Sequence, residues 1–169
     1  MGGIAMRKFC AILLLLWPYL FAFPFLLLRL DGGYVGLIVY CALTPLVYIA
    51  NIACACSAKD ARSLSFWNLL LKVFHIPAYI LIFFIGMILA GSLITGVPFG
   101  LILIPILVGI DYLLLLTTSA YGIKALHLAK KQGLLSKEFT IAQILLHFVF
   151  VLDVISSVIT FCKIRQSSL

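Results

Sequence analysis

The sequence predicts an all-α protein, a polytopic transmembrane helical bundle of about five spans with its N-terminus in the cytosol. Three observations predict it. The chain is 65% hydrophobic and only 10% charged, where a soluble domain is about half apolar and a quarter charged. A core of 169 residues cannot hide that excess, because a small domain leaves much of its surface exposed. And the apolar residues form long runs separated by short polar stretches, as membrane helices do. The runs fill most of the chain, so residues 1–169 read as one transmembrane domain.

Arg7 and Lys8 precede an apolar run from Phe9 to Leu28. It is too long for a typical signal-peptide core, and no small-x-small cleavage site follows before Arg29, so it reads as an uncleaved span over 7–29. Pro18 and Pro24 predict a kink in it. Asp31-Gly32-Gly33 is a turn, and the second span covers 34–56. Ser57 to Ser63 is the first clearly polar loop, followed by a third span over 67–94 that contains Pro77. Thr95 to Pro98 is a tight reversal, with Pro98 suited to a first helical turn. The fourth span, 98–122, continues as helix beyond the bilayer and ends in Lys130, Lys131 and Gly133, a helix-stop pattern. Ser136 and Glu138 suit the start of a fifth span over 138–162.

Lys and Arg near span ends set orientation. Five spans with the N-terminus inside place nine cations inside and three outside, the outer ones being Arg29, Lys163 and Arg165. A re-entrant span would bring the C-terminus inside and make the ratio eleven to one. The net charge of +7 is therefore read as an orientation signal and a set of headgroup contacts, led by Lys124, Lys130 and Lys131. No basic patch interleaved with exposed aromatics argues for nucleic acid. The five cysteines have no disulfide-framework spacing, and Cys54-x-Cys56 reads as small residues for close helix packing. No metal or cofactor is expected.

Polar and small residues recur at helical spacing within the spans. Tyr40, Thr44, Tyr48, Asn51 and Ala55 form one stripe, and Asn68, Lys72, His75 and Tyr79 a second. Asp111, Thr118, Gly122 and Ala125 form a third, and Gln143, His147 and Ser157 a fourth, with Asp153 at its edge. Residues three or four apart share a helix face, so each stripe avoids lipid and makes the bundle interior more polar than its exterior. Asp111, Asp153, His147, His75, Asn51, Tyr48 and Tyr79 are the candidates for binding or proton exchange. An ionisable group at mid-membrane costs several kcal/mol unless protonated, partnered or wet. Lys72 is expected to snorkel to the surface.

No catalytic signature is present: no H-E-x-x-H, no G-x-S-x-G and no phosphate-binding glycine loop. The closing stretch from His147 through Asp153 to Ser157, with Lys163-Ile164-Arg165, resembles the ends of small uncharacterised bacterial membrane proteins. That resemblance implies a bacterial plasma or inner membrane and carries no activity. The chain does not resemble small drug exporters, since it lacks a charge within its first span. Two function classes follow: binding or transport of a small solute or ion, as a homodimer, or an accessory subunit packed on a larger membrane partner. An intramembrane enzyme is the third. Transport predicts that Asp111 borders a polar pocket; a scaffold role predicts that a neighbouring helix satisfies it in a dry seam.

Overall fold

A computed structural model describes residues 2–20, 33–94 and 99–166. Arg29, Pro24, the Asp31-Gly32 turn and the Thr95–Pro98 reversal lie outside the described residues. Six helices and no strand occur among those described: α1 (Gly2–Leu20), α2 (Gly33–Cys56), α3 (Ala61–Ile94), α4 (Phe99–Lys131), α5 (Lys137–Leu146) and α6 (Phe150–Gln166). Three of them, α2, α3 and α4, contain segments long and apolar enough to cross a membrane.

Local chemistry explains the helix boundaries. The Asp60 carboxylate accepts from the backbone N–H groups of Arg62 and Ser63 and caps α3, which therefore starts earlier than its apolar run. At the end of α4, Gly133 takes φ 73°, and the Leu134 N–H returns to the Ala129 carbonyl. Only a residue without Cβ adopts that backbone cheaply. Ser136 Oγ accepts from the Phe139 N–H and caps α5, as its spacing predicts.

The core of the fold is the α3–α4 pair, with α1, α2 and α6 packed around it. Contacts between side chains give the directions. α1 and α2 are antiparallel, joined by Cys10–Cys54 and Trp17–Thr44. α3 and α4 are antiparallel too, since Gly100 approaches Leu89 and Gly122 approaches Asn68. Outward-facing residues are large and apolar, such as Ile38, Ile88, Leu101 and Val151, whereas Asn51, Asn68, Thr118 and Ser157 are buried. The interior is thus more polar than the exterior, as the stripes predict.

The expected fifth span is not one helix. The chain leaves helical geometry at His147–Val149, between α5 and α6. The two helices fold back on each other: the Lys163 ammonium lies over the Phe139 ring and Ser156 Oγ bonds to Gln143. α6 runs antiparallel to α3, with Phe161 beside Phe66, Ser157 bonded to Asn68 and Asp153 paired with Lys72. The C-terminal end of α6 therefore lies at the same end of the bundle as the start of α3, beside Arg62. At 1.5 Å per residue, the ten residues of α5 rise only about 15 Å, half of a bilayer core. The segment is a helical hairpin whose two outer ends lie at one end of the bundle.

Candidate functional site

The tip of that hairpin carries the charged cluster of the protein. Lys72 lies eleven residues into α3, about 16 Å along its axis. Its side chain is fully buried and forms an ion pair with Asp153 Oδ2. It donates to Thr118 Oγ1 at 2.7 Å and to Ser119 Oγ at 2.9 Å, both on α4. Lys72 thus does not snorkel. The expectation rested on depth alone, and an acid reached through the fold 81 positions later in the chain outweighs the solvent route.

Asp153 uses its other oxygen. Oδ1 lies 2.5 Å from His147 Nδ1. A carboxylate only accepts, so Nδ1 carries the proton in this contact. The His147 carbonyl, freed where α5 ends, accepts from Ser119 Oγ at 3.1 Å. Ser157 Oγ accepts from Asn68 Nδ2 at 2.8 Å and donates to the Asp153 carbonyl at 2.8 Å. Lys72, Asp153 and His147 are all fully buried. His147 Nε2 and Asn68 Oδ1, also buried, have no hydrogen-bond partner. Both belong to side chains pressed against Gly122.

Other sequence candidates fall outside this cluster or at its margin. Tyr79 lies against Thr118 and within electrostatic reach of Asp111 and Asp153. Tyr48 is buried and also within electrostatic reach of Asp111. Asp111 itself is half-buried, and its Oδ1 has no hydrogen-bond partner. Two cavities lie at the basic end, and neither is lined by Asp111 or by a cluster residue. Asp111 lines neither of these two cavities, and its Oδ1 accepts no hydrogen bond from a neighbouring helix. Of the groups around the cluster, Tyr79, which meets Thr118, is the one within electrostatic reach of Asp111.

His75 and Asn51 each bridge two helices. His75 is buried between two backbone carbonyls, with Nδ1 2.5 Å from Leu71 O and Nε2 3.2 Å from Leu14 O, and it ties α3 to α1. Asn51 Nδ2 donates to Val47 O, and its Oδ1 accepts from the Tyr121 hydroxyl at 2.8 Å, joining α2 to α4. Lys130 and Lys131 are exposed and Lys124 partly so, at the end of α4 where headgroup contacts are expected.

The members of the cluster that the sequence candidates leave out are Ser119, which accepts from Lys72, and Lys72 itself. One signal was available: Lys72 already belongs to the lipid-avoiding stripe of α3, on the same face as Asn68 and His75.

Three helices long and apolar enough to cross a membrane, packed around a buried ionic cluster, are compatible with a helical membrane protein. Residues 32–166 match the family of unknown function DUF6652, and the chain belongs to that family. No curated protein and no solved structure matches it.

Proposed function

We propose that this is a multi-pass protein of the cell membrane, N-terminus in the cytosol, that takes up and passes a proton at the Lys72–Asp153–His147 cluster. The observation that carries the reading is His147 Nε2, a buried imidazole nitrogen without a partner, on a ring whose other nitrogen faces a carboxylate. With Lys72 and Asp153 charged, a neutral His147 leaves the cluster without net charge. One proton added at Nε2 gives it a single positive charge. A proton needs no cavity wide enough for a solute, which agrees with cavities that stop short of the cluster. Ionisable groups at membrane depth usually mark such pathways, and broken helices line them. Tyr79 and Thr118 supply hydroxyls between the cluster and Asp111, where the path would continue.

The test is proton flux into liposomes containing the purified protein and a trapped pH dye, under an imposed pH gradient. Wild type should dissipate the gradient faster than empty liposomes. His147→Asn keeps a donor toward Asp153 but removes Nε2, and should return the rate to that of empty liposomes. Equal rates for wild type and His147→Asn would overturn the reading.

The second reading, an accessory subunit, is favoured by Asp111. Its oxygen is unpartnered and its side chain only half-buried, so a donor from a neighbouring chain could complete it. Copurification of a stoichiometric partner, lost on Asp111→Ala, would support it over proton exchange.

A further inference from the structure

Cys10 of α1 and Cys54 of α2 are 44 positions apart in sequence, yet their sulfurs lie 2.9 Å from each other. Both are free thiols. Cys10 is buried, while Cys54 is partly exposed and lines a cavity at the basic end together with two cations, Arg7 and Lys8, one acid, Asp60, and Tyr121. Reactive cysteines occur in such electropositive, partly exposed settings, poised next to a resolving cysteine. The other cysteines are differently placed: Cys41, Cys56 and Cys162 are exposed on the outside of the bundle, and none has a sulfur partner among the described residues.

We propose that Cys10 and Cys54 are a peroxide-responsive dithiol, with Cys54 the attacking and Cys10 the resolving cysteine. In the first step Cys54 Sγ attacks one oxygen of hydrogen peroxide. The O–O bond breaks, Cys54 becomes a sulfenic acid and one water leaves. In the second step Cys10 Sγ attacks the Cys54 sulfur. The S–O bond breaks, the S–S bond forms, and the departing hydroxide takes the Cys10 proton as a second water. Two thiols are oxidised by two electrons in all, and the peroxide is reduced to two waters. The product fixes α1 to α2 at the basic end, one turn from the Asn51–Tyr121 bond. This inference is independent of the proton-exchange reading.

The test uses the full chain in mild detergent with Cys41, Cys56 and Cys162 replaced by serine. Before peroxide, the protein unfolded in denaturant should take up two maleimides. After peroxide it should take up none, lose two hydrogens in intact mass, run as a monomer without reductant, and recover both thiols with dithiothreitol. Adding Cys10→Ser should stop the reaction at the sulfenic acid, trapped as one dimedone adduct. Adding Cys54→Ser instead should leave Cys10 unoxidised. Unfolding the protein before peroxide should slow the link at least tenfold. Persistence of two reactive thiols, a link only between chains, or equal rates in folded and unfolded protein would each overturn the proposal.

Discussion

Gly122 of α4 and His147, at the turn between α5 and α6, are packed so closely that a β-carbon on residue 122 would lie 2.5 Å from His147 Nε2 and 2.8 Å from Cε1. The Asn68 amide nitrogen would be 2.9 Å away on the same side. The absence of a side chain at 122 is what lets the hairpin tip reach the depth of Lys72.

Gly122→Ala should therefore push the His147 ring off its contact with Asp153. Overpacking of this kind costs about 1–3 kcal/mol, which exceeds the roughly 1 kcal/mol an alanine gains over glycine within a helix. Gly109→Ala is the control: nothing lies within 4 Å of a β-carbon there, so the propensity gain should appear as a small stabilisation. Thermal unfolding of both variants in one detergent checks the pair, and equal melting temperatures would refute the packing argument.

The Lys72–Asp153 pair predicts strong non-additivity. Removing one partner of a buried ion pair leaves an uncompensated charge and costs about 3–5 kcal/mol, whereas replacing both with apolar residues is often neutral or stabilising. Lys72→Met and Asp153→Leu alone should each unfold the protein at lower temperature, and the double variant should recover most of that loss. If proton exchange is the role, the stable double variant should still carry no flux in the liposome assay. A fully active double variant would reduce the cluster to a packing device.

The hairpin makes a claim about sides. Arg62, at the start of α3, and Arg165, near the end of α6, line one cavity. Single cysteines placed at 62 and 165 in a cysteine-free background should be labelled by a membrane-impermeant maleimide from the same face. Labelling from opposite faces would restore the fifth crossing and contradict the fold.

Tyr121→Phe tests the α2–α4 seam. It leaves Asn51 Oδ1 buried without its donor, at a cost of about 1–3 kcal/mol. The measurement is again the melting temperature. It should fall while proton flux is unchanged, because the Tyr121–Asn51 bond is separate from the cluster.

Several features were legible before any tertiary contact was known. The end of α4 at Lys130, Lys131 and Gly133 and the cap at Ser136 are local, because caps and positive-φ glycines act through neighbours a few residues away. The polar stripes were equally legible, since lipid leaves the interior as the place for Asn68, Thr118 and Ser157. The break at His147–Val149 was not. No proline or glycine marks it, and an unbroken run from 138 to 162 has the length of a span.

The sequence by itself pointed to lipid as the solvent: 65% of its residues are apolar, in runs that become three helices long and apolar enough to cross a membrane. It also determined which faces turn inward, because helical periodicity depends only on spacing. Only the tertiary structure decided that Lys72 meets Asp153 and that the last segment turns back at His147. An ion pair is a long-range contact whose energy depends on distance and desolvation. Neither quantity exists until α3, α4 and the hairpin have packed.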